Sequence, residues 1–188
     1  MTNEELLIAL AKSGDEQAFA KIVKLYEKAV YNSALYISQN REDALDISQE
    51  VFVKLWRTLP SYRGEASLKS WIATITRSSA IDYVRSKNQR KSSSLTFGDD
   101  EKETDVIDES ISSNPQKSYE QKERREAVRK AVKALPEQLR ETIILREFHG
   151  LSYAEIANIQ KISEGTVKSR ISRGREQIKE FLKNGNFL

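Results

Sequence analysis

Apolar residues recur every three or four positions through the first half of the chain, which is the spacing of an amphipathic helix. Three such stretches cover residues 19–30, 41–59 and 67–87. Ser13 and Glu16 have the spacing of a capping box just before the first stretch, and they predict the start of that helix. Together the three stretches predict a helical domain over the first half of the chain.

The helical periodicity stops at about residue 88 and returns at Tyr119. The segment between is rich in serine, and seven carboxylates against one lysine lie between residues 99 and 109. Such a segment cannot bury enough apolar surface to offset the entropy lost on ordering. The predicted fold is therefore all-α, with two small helical domains at 1–90 and 119–188 joined by a flexible acidic linker at 91–118.

The second half carries the pattern of a helix-turn-helix. Ser152 and Glu155 form a capping box that begins a short helix, in which Ile156 faces inward. After a tight turn at residues 161–163, Ser163 is placed to cap a longer helix. Two helices joined by so short a turn are typical of a DNA-binding helix-turn-helix.

The second helix of this motif is cationic. From residue 161 to residue 183 there are seven Lys or Arg against three Glu, a net charge of +4. Arginine can pair with a guanine edge through two hydrogen bonds, and lysine and serine can contact phosphates or single base edges. The alternative is a solvated basic face on an ordinary helical hairpin, but the cap, the short turn and the outward cationic face together favour DNA binding. That face carries Lys168, Ser169, Ser172 and Arg173.

Composition excludes several other classes of protein. The chain has no cysteine and one histidine, so disulfides and Cys-ligated metals are excluded and a reducing cytoplasm, the predicted location, is compatible. Asp43, Asp46 and Glu50 form a carboxylate cluster, but helical di-metal sites normally add histidines. No segment has the apolar length of a membrane span. We expect no catalytic residues, no metal, no cofactor and no membrane insertion.

Two motifs in the first half resemble a known family. EDALDISQEVFVKLW, followed by YRGEASLKSWIATITRSSAIDYVR, is similar to the core of the extracytoplasmic-function (ECF) group of bacterial RNA polymerase sigma factors. The C-terminal segment resembles the second domain of the same family, in the same order. The resemblance implies a protein that binds core RNA polymerase and directs promoter-specific transcription initiation.

The resemblance also implies which residues of the first domain are functional. The helix that contains Asp46 would dock on the largest polymerase subunit, and the next helix would capture and separate the minus-ten element of promoter DNA. Trp71 lies on the apolar stripe of that helix, so it is more often a core residue than a stacking platform. The polymerase-binding residues would be Asp46, Gln49, Glu50 and Val53, and the minus-ten residues Tyr62, Arg63, Lys69, Trp71, Arg77 and Ser78.

The second domain would recognise the minus-thirty-five element. In the family, the position of Lys161 is commonly Gly or Asn, which tolerate a left-handed turn, so lysine there costs about 1 kcal/mol. The acidic linker would either mimic nucleic acid inside the polymerase or act as a solubilising tether. An anti-sigma factor is a further implied partner. The minus-thirty-five residues would be Gly165, Thr166, Lys168, Ser169, Ser172 and Arg173.

One other class of protein fits the second domain. A stand-alone transcription regulator would bind duplex DNA through the same helix-turn-helix, and its N-terminal helices would then serve as a sensor or dimerisation domain. A sigma factor differs from such a regulator by binding core polymerase tightly and free promoter duplex weakly.

Overall fold

A computed structural model describes residues 3–93, 115–185 and 187. Within these residues the chain forms eight α-helices, one short 3-10 helix and no strand, so the predicted all-α fold is confirmed. In chain order the elements are α1 (Asn3–Lys12), α2 (Glu16–Ser38), α3 (Arg41–Thr58), the 3-10 helix (Leu59–Ser61), α4 (Leu68–Ser93), α5 (Pro115–Ala134), α6 (Glu137–Glu147), α7 (Tyr153–Gln160) and α8 (Glu164–Asn184).

The first predicted cap is wrong. Asp15, rather than the Ser13–Glu16 pair, caps α2, and its carboxylate accepts hydrogen bonds from two backbone N–H groups of the first turn at 2.8 and 3.0 Å. The Ser13 hydroxyl donates instead to the carbonyl of Leu10 at 2.7 Å. The reason is that α1 ends at Lys12, so Ser13 belongs to the end of the preceding helix.

Helices cover both ends of the predicted linker. The helix α4 continues to Ser93, about a turn and a half beyond the predicted end at Lys87, and α5 begins at Pro115. Residues 94–114, which contain the carboxylate-rich part of the predicted linker, lie outside the described residues. The flexible acidic linker therefore stays a prediction.

The N-terminal domain is built on a core between α2, α3 and α4. Fully burying one aliphatic side chain contributes about 1.5–3 kcal/mol to folding, so this cluster fixes the three helices relative to one another. The outer face of α3 and residues 63–67 of the loop before α4 remain on the surface. The largest buried members of the cluster are Ile22, Val30, Ile47, Val51, Leu55, Leu59, Leu68 and Ile72.

The C-terminal domain packs α8 closely against α6 at Gly174. A Cβ at this position would lie 2.8 Å from Cγ1 of Ile143, so no larger residue fits without movement. Val167 and Ile171 of α8 are buried in the same core, as the apolar spacing predicts. This packing sets which face of α8 points outward.

The helix-turn-helix has the predicted geometry. Ser152 and Glu155 form the capping box of α7, and the Ser163 hydroxyl accepts the backbone N–H of Thr166 at 3.2 Å to begin α8. Between the helices Lys161 has φ 54° and ψ 47°, the left-handed conformation predicted from the sequence. Lysine therefore occupies a position that favours glycine.

Replacing Lys161 by glycine is expected to stabilise the C-terminal domain by about 1 kcal/mol, because the Cβ clash of the left-handed conformation is removed. Thermal unfolding followed by circular dichroism measures the change as a higher midpoint. Lys161→Ala keeps the Cβ and is the matched control, with an expected midpoint near that of the parent chain. An equal rise in both variants would show that the lysine charge, and not the backbone, causes the strain.

Candidate nucleic-acid and partner interfaces

The outer face of α3 combines carboxylates with apolar side chains. Asp46, Gln49, Glu50 and Val53 are all exposed on this helix, one turn apart, as the sequence predicts. Leu45 is also exposed, at 51%, beside the 49% exposed Val53, and sequence reasoning missed it. The sequence does carry a signal for this residue, because Leu45 is a leucine that lies outside the buried apolar stripe of α3. An acidic face with exposed apolar side chains is suited to binding a protein partner.

Asp43 joins the inner side of α3 to α4. Its carboxylate is largely buried and pairs with Nζ of Lys87 at 2.7 Å. The Tyr83 hydroxyl donates to Asp43 at 3.1 Å and to Asp46 at 3.2 Å. Burial, followed by the hydrogen bond to Asp43, raises the pKa of Tyr83 to about 12, so the phenol stays protonated and can donate. The two helices are therefore connected by charge as well as by the core.

The loop before α4 is held in place by an aromatic pair. The rings of Tyr62 and Trp71 stack with centroids 4.9 Å apart, and both pack partly against the N-terminal core. Lys12 donates to the carbonyl of Tyr62 at 2.7 Å, while Arg63 is exposed. Trp71 is half-buried, so it packs against the core, as its place on the apolar stripe predicts, and it also supports Tyr62. Its role as a stacking platform for DNA bases stays a prediction.

Two of the other predicted minus-ten residues, Arg77 and Lys69, contact the C-terminal domain. Arg77 donates from Nε and Nη2 to the carboxylate of Glu141, with the shortest separation 3.0 Å. Lys69 donates to the carbonyl of Gly150 at 3.3 Å and lies 3.7 Å from Glu155. The Ser78 hydroxyl donates to a carbonyl of its own helix at 3.0 Å. Sequence reasoning placed these side chains on one helix but did not foresee their partners.

The outward face of α8 matches the prediction. Lys168, Ser169, Ser172 and Arg173 are exposed, and so is Gly165 at the start of the helix. The structure adds two details to this face. Thr166 is half-buried, and its hydroxyl lies 2.9 Å from that of Ser163, while Arg170 points inward and donates to Gln138 at 2.8 Å. The cationic face is therefore narrower than the charge count alone implies.

His149 is a residue that sequence reasoning did not assign to any contact. It lies just after α6, is 7% exposed, and its Nε2 is 2.8 Å from the hydroxyl of Ser33 in α2. Burial lowers its pKa from 6.5 to about 4, so the ring is neutral at neutral pH. A residue in one domain is thus hydrogen-bonded to a residue 116 positions away in the other. No local sequence signal marks such a pair.

Among the described residues, no group of His, Asp and Glu is arranged to hold a metal ion. In the same part of the chain, no helix is both long and apolar enough to cross a bilayer.

Comparison with known families matches both halves of the chain. Residues 22–90 match the family described as Sigma-70 region 2, and residues 125–178 match the one described as Sigma-70, region 4. The first match does not favour a stand-alone regulator, because it assigns the N-terminal helices to a sigma-factor region rather than to a sensor domain.

Individual relatives are similar in sequence to this chain over nearly its full length. The RNA polymerase sigma-H factor of Pseudomonas aeruginosa is 31% identical over 181 residues, which cover 95% of this chain and 93% of the relative. The ECF RNA polymerase sigma-E factor of Escherichia coli strain K12 is 34% identical over 185 residues, with 93% and 92% covered.

Solved structures share the fold. The sigma factor RpoE from Bartonella quintana, solved in complex with the anti-sigma factor NepR, is 28% identical, with a TM-score of 0.68 over 88% of this chain and 96% of that chain. CnrH, solved in complex with the cytosolic domain of CnrY, has a TM-score of 0.67 at 21% identity, with 96% and 97% covered. From the two matched regions and the full-length relatives, we conclude that the chain belongs to the ECF group of the sigma-70 family and is a sigma factor that directs transcription.

Proposed function

We propose that the chain divides its task as a sigma factor among three surfaces on two domains. The outer face of α3 binds core RNA polymerase, the start of α4 with its preceding loop captures the minus-ten element, and the outward face of α8 contacts the minus-thirty-five element. The observation that supports this proposal is the exposure of the predicted residues of α3 and α8 on two separate helices of a sigma-factor fold, together with the position of the predicted minus-ten residues on α4 and in the loop before it. Each surface also has the chemistry that its partner requires.

The polymerase-binding role falls on α3 because its face is acidic and partly apolar. Asp46 and Glu50 would accept hydrogen bonds from basic groups of the polymerase, and Val53 with Leu45 would bury apolar surface. Gln49 lies between the two carboxylates and can donate or accept. Apolar contact supplies affinity, and the carboxylates supply specificity for a basic partner.

Capture of the minus-ten element requires aromatic and cationic groups. An unpaired strand loses its stacking, which aromatic side chains can replace, and its phosphates need cations. The stacked pair of Tyr62 and Trp71 lies beside Arg63 in the loop before α4. On α4 itself, Lys69 and Arg77 would supply charge, and Ser78 would supply a hydroxyl next to Arg77.

The minus-thirty-five element would be read in the major groove by α8. The exposed side chains Lys168 and Arg173 can pair with phosphates or guanine edges, and Ser169 and Ser172 can contact single base edges. Gly165 and Thr166 lie at the N-terminus of the helix, where backbone N–H groups favour a phosphate. The capping of α8 by Ser163 fixes the direction of this helix end.

We also propose an anti-sigma factor as a regulatory partner. The Bartonella quintana RpoE, whose fold this chain shares, was solved with the anti-sigma factor NepR. Large apolar side chains that would suit such a partner are exposed on both domains, among them Leu25, Leu45 and Val128. The protein would work in the cytoplasm, where polymerase acts, and without a catalytic activity of its own, since family members regulate rather than catalyse.

Run-off transcription tests the function directly. Purified chain and core RNA polymerase are incubated with a library of promoter fragments, and the transcripts are sequenced. We expect initiation at a small set of related sites only when the chain is present. The assignment of these roles would fail if the chain joined core polymerase but never changed the sites of initiation.

The proposed contact between α8 and DNA predicts how the affinity for promoter duplex depends on salt concentration. Each phosphate neutralised by a cation contributes about −0.9 to the slope of log affinity against log salt. For holoenzyme binding to promoter duplex, Lys168→Ala/Arg173→Ala should make that slope shallower by roughly 1.8. Fluorescence anisotropy over a series of salt concentrations measures it.

The matched control removes two other lysines of the same helix. Lys179 and Lys183 are exposed near the C-terminal end of α8, away from the proposed groove-facing residues. Lys179→Ala/Lys183→Ala has the same net charge as the test variant and should keep the parent slope. Equal slopes in both variants would contradict the proposal that Lys168 and Arg173 contact the DNA phosphates.

A further inference from the structure

The first helix, α1, lies before the part of the chain that matches Sigma-70 region 2, which begins at residue 22. The helix is nevertheless fixed to the N-terminal domain. Ala11 is buried, and Leu7 and Ile8 pack against the core of that domain. Near the start of α1, Glu4 accepts a hydrogen bond from the Tyr26 hydroxyl of α2. The helix α1 is therefore anchored by both apolar and polar contacts.

The last residue of α1, Lys12, connects this helix to the loop before α4. Its Nζ donates a hydrogen bond to the backbone carbonyl of Tyr62 at 2.7 Å, although the two residues are 50 positions apart. A hydrogen bond from an ammonium group is stronger than one between neutral groups. The positive charge also suits its place in the last turn of α1, where the helix dipole favours a cation. The anchored helix therefore holds the backbone of the loop.

Tyr62 is the residue through which the rest of the loop is held. Its backbone N–H donates to the carbonyl of Leu59 at 3.0 Å, and its hydroxyl donates to the carbonyl of Ala66 at 2.5 Å. Burial raises the pKa of Tyr62, so the phenol stays protonated and can donate. The ring stacks on Trp71, whereas residues 63–67 are exposed. The position of Tyr62 therefore sets the position of the exposed part of the loop.

The exposed part of the loop has little restraint of its own. Gly64 has φ 77°, a conformation that glycine adopts freely and other residues rarely do. A loop that is already ordered loses less conformational entropy when a ligand binds to it. Without the bond from Lys12, the loop would sample more conformations, and strand binding would have to supply the free energy of ordering it.

We propose that Lys12 is a positioning residue for promoter capture: its hydrogen bond to the carbonyl of Tyr62 holds the loop in the conformation that receives the separated strand. The inference rests on the proposed function of this loop. In this role Lys12 acts through the backbone of Tyr62 and not by contacting DNA phosphates. The two roles predict different dependences on salt and on the Tyr62 ring, so binding measurements distinguish them.

The test compares Lys12→Met with Lys12→Arg. Methionine keeps a long side chain that suits a helix but removes the donor and the charge. Holoenzyme is titrated by fluorescence anisotropy with a fork-junction DNA from the run-off library, whose minus-ten non-template strand is unpaired. We expect the dissociation constant of Lys12→Met to rise by about threefold to tenfold, less than for a buried charged hydrogen bond because Lys12 is exposed. Lys12→Arg keeps a cationic donor and should recover most of the affinity.

The salt dependence separates positioning from direct contact. A lysine that neutralises one phosphate of a single strand contributes about −0.7 to the slope of log affinity against log salt. Lys12→Met should therefore bind more weakly than the parent but with the parent slope. A slope shallower by roughly 0.7 would show that Lys12 contacts the DNA itself, and it would overturn the proposal.

A double-mutant cycle tests whether Lys12 acts through Tyr62. Tyr62→Ala removes the ring that the hydrogen bond positions. In the Tyr62→Ala background, Lys12→Met should cause less than about a twofold further loss, because the two residues act as one unit. Losses that multiply as for independent sites would contradict the proposal.

Lys24→Met is the matched control. Lys24 is exposed on α2, so this change removes the same charge from the same domain and should leave strand binding at the parent level. An equal loss in Lys24→Met would attribute the effect to net charge and overturn the proposal. If Tyr62→Ala binds the fork as the parent does, the proposed function of the loop has failed, and this inference fails with it. If Tyr62→Ala is impaired and Lys12→Met is not, this inference alone has failed.

Discussion

Replacing Asp46 and Glu50 by alanine is expected to weaken binding of the chain to core RNA polymerase by roughly a hundredfold. A hydrogen bond to a charged group contributes about 1.5 kcal/mol or more, so losing two costs about 3 kcal/mol. Anisotropy titration of a labelled chain with core enzyme measures the dissociation constant. Transcription at a limiting concentration of the chain should fall in parallel.

In the Asp46→Ala/Glu50→Ala variant, a loss of binding must be distinguished from a loss of folding. Asp46 also accepts the Tyr83 hydroxyl, but that hydroxyl keeps Asp43 as a second acceptor, so the helices should remain joined. Circular dichroism should therefore give the parent spectrum. Glu16→Ala/Glu27→Ala removes two exposed carboxylates of α2, on a different helix, and should bind core normally. Equal weakening in the two variants would contradict a specific contact at Asp46 and Glu50.

Acidification is expected to open the contact between the domains. With the domains apart, His149 would have the ordinary histidine pKa near 6.5, whereas burial between the docked domains lowers the pKa to about 4. Protons therefore bind better when the domains are apart, so the stability of the contact is complete above the ordinary histidine pKa and is lost as the pH falls from there toward about 4. At about pH 5 the loss amounts to roughly 2 kcal/mol.

The other charged groups that face His149 are Arg77 and Glu141, which pair with each other. Keeping the measurement above about pH 5 leaves ordinary carboxylates charged, so the imidazole is the group that titrates. X-ray scattering should show the radius of gyration rising between neutral pH and that limit.

A double replacement identifies the group responsible. Ser33→Ala/His149→Leu removes both hydrogen-bonding partners and fills the space with apolar atoms, which is nearly neutral for stability when both partners are replaced. This variant should stay closed over the whole interval. If it opened on acidification as the parent does, His149 would not be the group that responds to pH.

Much of the local structure was predictable from the sequence. The caps at Ser152 and Ser163 follow from rules that involve a few neighbouring residues, whereas the left-handed conformation of Lys161 was implied by the resemblance to the family. The helix α1 was not predicted as an element. The cap of α2 was misassigned, because Ser13 and Asp15 are both good capping residues and only the end of α1 decides between them.

The contacts that shape the candidate site were not predictable in the same way. Arg77 pairs with Glu141, 64 positions away, and Ser33 pairs with His149, 116 positions away. Such pairs depend on how two folded domains meet, and a single sequence has no periodicity that records this. Lys69 and Arg77 were therefore assigned to the proposed minus-ten surface without any indication that side chains and a carbonyl of the other domain pair with them.

The buried carboxylate of Asp43 has a mechanical consequence. Its contacts with Lys87 and Tyr83 join α4 to α3, so we expect the two helices to move together as one rigid unit. If core polymerase binds the outer face of α3 as proposed, that binding would also set the position of α4 relative to the opened DNA. The register of the transcription start, measured from the promoter, is therefore expected to depend on an aspartate that touches neither the enzyme nor the DNA.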